Sequence, residues 1–112
     1  HDLATIMTML GHSDDQLFLL KMDIEGGEVM VLHSLITESP HLLLRIQNIC
    51  MEVHWEERYN NIRLDHFVVF FDDILDHLVN EAGFGLYHEG PRLSGTRQTL
   101  CLTRMRGKPA VA

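Results

Sequence analysis

The residues best placed to do chemistry lie in one short stretch, Leu20-Lys21-Met22-Asp23-Ile24-Glu25-Gly26-Gly27-Glu28. Three carboxylates fall within six residues there. An almost continuous apolar run precedes them and a helical apolar pattern follows. They therefore stand where a strand ends and a helix begins. In open α/β sheets that rim is where ligands bind. A carboxylate at the rim can accept a proton, hold a ribose or an amine, or ligate a metal. The two glycines let the backbone turn sharply and approach a ligand closely. A plainer account covers the same residues. Acids in a first helical turn are favoured by the macrodipole, at about 0.3–1 kcal/mol each, with no function needed. Glycines at a tight turn are ordinary. Spacing alone leaves both accounts open for Asp23, and for Glu28 it favours the helix start.

The elements that must position this stretch follow from periodicity. Leu3, Ile6, Met7 and Leu10 fall at helical spacing, with Gly11 where a left-handed cap would end the helix. Leu17 to Met22, broken only by Lys21, reads as a strand buried on both faces, as in parallel sheets. Val29, Leu32, Leu35 and Ile36 mark a second helix, stopped by Ser39-Pro40. Ile46 to Val53 alternates loosely and predicts a second strand ending at His54. The longest element carries one apolar stripe through Leu64, Phe67, Val68, Phe71, Ile74, Leu75, Leu78, Val79 and Ala82, with acids and histidines mostly opposite. It reads as an amphipathic helix packed on a sheet and stopped by Gly83. Phe84 to His88 and Gln98 to Met105 read as the last two strands. The basic Arg104–Lys108 stretch leads into a frayed end.

Strand-helix-strand units imply parallel pairing with right-handed crossovers. No helix separates the last two strands, so they should pair antiparallel. The expectation is an α/β mixed sheet whose last strand is reversed.

Composition narrows the function classes. The 112 residues are 46% hydrophobic and 22% charged, a globular mixture. Sixteen acids against nine bases leave a net charge of −7, which argues against nucleic acid as a partner. No apolar run approaches a membrane span, so no membrane insertion is expected within this segment. Two cysteines, Cys50 and Cys101, are too few for a disulfide scaffold or a thiolate zinc site. The chain opens at His1 and reads as a piece of something longer.

The stretch LLKMDIEGGEVMVL resembles the LK-(I/M/V)-D-(I/V)-EG-x-E signature of FkbM-like methyltransferases, a methyltransferase-like family that uses S-adenosylmethionine. Cys50-Met51-Glu52-Val53-His54 resembles that family's next strand, which typically ends in an acid and a histidine. The resemblance implies a Rossmann-like class I methyltransferase fold with strand order 3-2-1-4-5-7-6. Residues 1–112 would then be the C-terminal half of that domain, supplying strands 4-5-7-6. The N-terminal cofactor-binding half would lie outside them. The glycine-rich turn and the acid that hold the cofactor in such enzymes have no counterpart here. Gly83-x-Gly85 follows a helix and precedes a strand, the wrong context for a nucleotide loop. No cofactor-binding residue is therefore assigned, and these residues alone should bind S-adenosylmethionine weakly or not at all.

On this resemblance the expected activity is methyl transfer to oxygen of a small-molecule or glycan-like acceptor. Such a step needs alignment of two reactants and often a base for the acceptor's proton. Asp23 would lie beside the methyl group. His54 would take the proton, histidine being the side chain that changes charge near neutral pH. Glu25 would contact the acceptor or brace the turn. Glu52, two residues before His54, would share its face and orient the ring. Trp55, with Tyr59, would line the acceptor pocket or pack as core or lid. His54 also has a plain reading, as a strand-end histidine with its hydrogen bonds satisfied. Asp23, Glu52 and His54 offer mixed oxygen and nitrogen donors, but no further acid-amide pair supports an ion, and no metal is assigned.

The same mapping makes the strands of Cys50 and Cys101 neighbours, and the two are expected as buried, reduced thiols. A short distance between the sulfurs would instead point to an oxidising compartment. It also leaves one side of residues 17–22 without a strand, an apolar edge open to pairing with another chain. Two other functions fit less of the sequence. One is a non-catalytic methyltransferase-like binding or interaction module. The other is a metal-dependent phosphoesterase built on the Asp23 cluster.

Overall fold

The computed structural model of the chain describes residues 2–24, 27–54, 64–90 and 97–105. The first helix, α1, spans Leu3–Met9. Asp2 caps it by accepting the Thr5 backbone N–H at 2.8 Å, which satisfies one donor of the open first turn. Hydrogen bonding to Thr5, through its side chain first and its backbone second, holds the Asp2 carboxyl below its ordinary pKa. Gly11, at φ +80°, closes the segment in the left-handed region expected of it. Then come β1 (Leu17–Met22), α2 (Glu28–Thr37), a short α3 (Pro40–Leu43), β2 (Ile46–His54), α4 (Leu64–Asn80), β3 (Phe84–Glu89) and β4 (Arg97–Arg104). Among the described residues no helix is long and apolar enough to cross a membrane.

The strands form one sheet in the order β1-β2-β4-β3. β1 and β2 run parallel, with Leu20 opposite Ile49 and Met22 opposite Met51. β4 runs antiparallel to both β2 and β3. This is the mixed sheet with a reversed last strand that the element order predicts. The parallel pair requires a crossover, and α2 supplies it.

One face of the sheet carries the core. α2 packs on β2, α4 packs on β3, and the two helices touch each other. Val29, Leu32 and Leu35 from α2 and Phe71, Ile74 and Leu78 from α4 are buried against Ile49, Met51, Val53, Phe84, Leu100 and Leu102. Each such side chain contributes roughly 1.5–3 kcal/mol of burial. From Phe71 to Ala82 the apolar stripe therefore does what its periodicity predicts, while the side chains of Leu64, Phe67 and Val68 lie outside those described. Gly83 follows at φ +86° and turns the chain into β3.

Two expectations change and one is extended. β1 is not buried on both faces, since Phe18 is 78% and Leu19 47% exposed. It is the edge strand of a sheet whose described helices cover one side, so hydrophobicity at these positions does not translate into burial. Ser39-Pro40 does end α2, yet Pro40 then opens α3, where its missing N–H costs nothing at a first helical position. Cys50 and Cys101 are not reduced thiols. They lie directly opposite each other on β2 and β4 and are joined as a disulfide. The neighbouring of their strands was legible, and their registry was not.

Arg104 is the last residue of β4, within the strand expected over Gln98 to Met105. Its guanidinium donates to three carbonyls: Ala82 at 2.6 Å, Leu43 at 2.8 Å and Ile46 at 3.2 Å. It also lies over the Phe84 ring, 4.4 Å from its centroid. One planar fork thus ties the end of β4 to the ends of α3 and α4 and to the start of β2. Burial lowers the Arg104 pKa below its ordinary value, while a guanidinium stays charged in proteins.

Two stability measurements follow. Arg104→Ala leaves three buried or half-buried carbonyls without their donor and should cost about 2–4 kcal/mol in urea unfolding. A loss below about 0.5 kcal/mol would show that the fork is idle. The disulfide spans a sequence separation of 51 residues. Replacing both cysteines by serine should cost about 2–4 kcal/mol. Mass spectrometry of unreduced protein should find Cys50 linked to Cys101, and two freely alkylated thiols would contradict the bond.

Candidate active site

Parallel pairing decides which ends of the chain meet. β1 and β2 point the same way, so Asp23, just past β1, and His54, the last residue of β2, emerge at one rim. The His54 Nε2 lies 4.0 Å from an Asp23 carboxylate oxygen. Asp23 is exposed to solvent, and His54 is buried at 7% exposure. The rim therefore pairs a wet acid with a nearly dry imidazole.

The other ring nitrogen meets Glu28. His54 Nδ1 is 3.1 Å from Glu28 Oε1. The second carboxylate oxygen, Oε2, accepts the backbone N–H of Ile24 at 2.9 Å. Glu28 is 1% exposed, a rare state for a carboxylate and one that demands donors. It is the first residue of α2, as the helix-start reading has it. Its side chain turns back, however, to link the exit from β1 with the end of β2. The preceding Gly27 caps the helix with ordinary dihedrals. Its φ is −85°, and a Cβ there would sit 2.8 Å from the Ile24 side chain.

Glu52 stands two positions before His54 on β2 and is half-buried. Asp23, Glu52 and His54 each present a ligand atom within 4.8 Å of the others. A divalent cation would need those atoms to close in somewhat, as its bonds run about 2.0–2.6 Å. Glu28 meets the Nδ1 side of the ring, and Glu52 lies near the ring on the same strand. A cavity of about 220 Å³ lies against this cluster, lined by Lys21, Asp23, Cys50, Glu52 and Thr99 among others. Cys50 Sγ is also 3.4 Å from the Tyr87 hydroxyl.

A larger groove of about 370 Å³ runs along β1 between α1 and α2, walled by Leu3, Ile6, Leu20, Met22, Ile24 and Met30 among others. It is apolar and offers no acid-base pair. Its place beside β1 agrees with the open strand edge expected at residues 17–22. Glu25 and Trp55, with Tyr59, lie outside the described residues.

Asp23, Glu52 and His54, the acids and histidine expected near one another, do lie together. The contact of Glu28 with His54 was not expected. The available signal was the last acid of the EG-x-E pattern, followed directly by the apolar Val29-Met30-Val31. A carboxylate heading a buried helix face cannot be disposed of by the macrodipole alone.

Chemically, an ionised carboxylate only accepts hydrogen bonds. With the hydrogen between His54 and Glu28 placed on Nδ1, a neutral ring would keep its lone pair on Nε2, the nitrogen that faces Asp23. Such a nitrogen can take a proton or bind a cation. The cavity is bordered by both signs of charge, the Asp23 and Glu52 carboxylates and the Lys21 ammonium, with the acids in excess.

No curated protein and no solved structure gives a significant match to this chain. A family model does match, the methyltransferase FkbM domain, over residues 2–86. That span takes in α1, the β1–α2–β2 unit, the Asp23–Glu28–His54 rim, α4 and the start of β3. With three quarters of its length matched, and with the rim inside the match, the chain belongs to the methyltransferase FkbM domain family.

Proposed function

We propose that this chain is the acceptor-side half of an S-adenosylmethionine-dependent methyltransferase that methylates an oxygen of a small-molecule or glycan-like acceptor. The observation that carries the reading is the shared rim: Asp23 and His54 4.0 Å apart, with the far side of the imidazole held by Glu28. Family membership supplies methyl transfer as the reaction class.

The rim's chemistry fits the reactive end of the cofactor. A sulfonium is cationic, and the Asp23 and Glu52 carboxylates border the cavity it would enter. When bound, the cofactor supplies an electrophilic methyl group. The chain's own residues do the rest. His54 Nε2 takes the proton from the acceptor hydroxyl as the oxygen attacks. Asp23, exposed at the mouth, holds the acceptor in line and steadies the imidazolium that forms. Glu25, Glu52 and Trp55 are proposed to contact the acceptor. The nucleoside end is proposed to bind chain outside residues 1–112.

Two measurements test this. Full-length protein should transfer labelled methyl from S-adenosylmethionine into hydroxylated small molecules or glycans. His54→Ala should lower kcat about 10²–10⁴-fold with the cofactor KM little changed. An undiminished rate in that variant would remove His54 from the mechanism. Calorimetry should find tight S-adenosylmethionine binding to the full-length protein and weak or no binding to residues 1–112. Absence of binding in both would favour a non-catalytic module, and tight binding to the short chain would refute the division of labour.

A further inference from the structure

Among the described residues of this rim, Glu28 is a buried carboxylate that meets a backbone N–H and an imidazole nitrogen. The backbone N–H of Ile24 reaches Glu28 Oε2 at 2.9 Å, and His54 Nδ1 lies 3.1 Å from Oε1. A backbone N–H can only donate. A histidine nitrogen can donate or accept, depending on the tautomer. Glu28 accepts on both sides, so it selects the tautomer with hydrogen on Nδ1.

We infer that Glu28 is the positioning residue of the site: it locks His54 in the Nδ1–H tautomer and so keeps the Nε2 lone pair turned toward Asp23. The inference rests on the reading of His54 as proton acceptor, because only the unprotonated nitrogen can take a proton. In the opposite tautomer an Nε2–H would face Asp23 and the acceptor, and a lone pair would face the Glu28 carboxylate. That arrangement sets two acceptors against each other away from water, which burial does not tolerate. The lock also explains why so dry a carboxylate heads α2. The helix end tolerates an acid there, and the same acid reaches across the rim to the neighbouring strand.

Glutamine at this position makes the inference testable. Its amide has nearly the same shape but offers one acceptor and one donor group. The Ile24 N–H cannot change its nature, so the amide oxygen must turn to it. The amide NH2 then faces His54 Nδ1. The imidazole can satisfy that donor only by moving its own hydrogen to Nε2. Glu28→Gln should therefore flip the tautomer while leaving the fold in place.

The experiment uses full-length protein labelled with ¹⁵N-histidine and long-range ¹H–¹⁵N correlation, which distinguishes the two tautomers without any ligand. Wild-type His54 should be the Nδ1–H form. Glu28→Gln should convert it predominantly to the Nε2–H form. Methyl transfer should then fall about 10–100-fold in kcat across the pH profile, with the cofactor KM within about twofold. Glu28→Asp keeps two acceptor oxygens and should retain the Nδ1–H form with partial activity. It serves as the folded control if the glutamine variant is unstable. An Nε2–H tautomer in the wild type, or an unchanged tautomer in Glu28→Gln, would overturn the lock. A flipped tautomer with an unchanged rate would confirm the lock and discard His54 as the base, so the two readings fail separately.

Discussion

A carboxylate shut away from water must be answered by donors, and at Glu28 the donors come from two different elements. One is the backbone just past β1, and the other is the imidazole at the end of β2. This bridge links the two strand ends through the first residue of α2. It explains why the exposed Asp23 and the buried His54 are held as neighbours rather than as two unrelated polar ends. The bridge is possible only because β1 and β2 run parallel. In an antiparallel pair the same residues would lie at opposite edges of the sheet.

The rest of the molecule keeps that rim in place. α2 and α4 seal one face of the sheet, and their buried leucines and Phe71 fix its distance from the helices. Arg104 gathers three carbonyls near the opposite end of β2. The Cys50–Cys101 bond clamps β2 to β4 between the two ends. β2 is thus held at its start, near its middle and at its last residue. That is a reasonable arrangement for a strand whose final side chain must present one nitrogen accurately.

Much of this could be read in the sequence, for identifiable reasons. The stripe from Phe71 to Ala82 and the glycine after it are local signals, so α4 was legible. The lack of a helix between the last two strands gave β4 its direction. Asp23 and His54 at one rim followed from parallel pairing, with no knowledge of contacts. Three features resisted because they depend on neighbours distant in sequence. Phe18 and Leu19 have the composition of buried strand residues; the resemblance already made residues 17–22 an open edge, yet the exposure of these side chains depends on which face of the sheet the helices cover. The disulfide needs the register of β2 against β4, which two isolated cysteines do not encode. Glu28 looks like an ordinary helix-start acid until the end of β2 is placed beside it. Its link to His54 spans 26 positions, and no local pattern carries it.

The account stands or falls on whether Glu28 and His54 stabilise each other. A double-mutant cycle on the full-length protein measures that directly, using Glu28→Ala, His54→Ala and the pair in urea unfolding. A buried, charge-assisted hydrogen bond should give a coupling of about 1.5–3 kcal/mol. A coupling below about 0.5 kcal/mol, with all three variants folded, would mean that the two side chains act independently and that the rim is not organised by their contact.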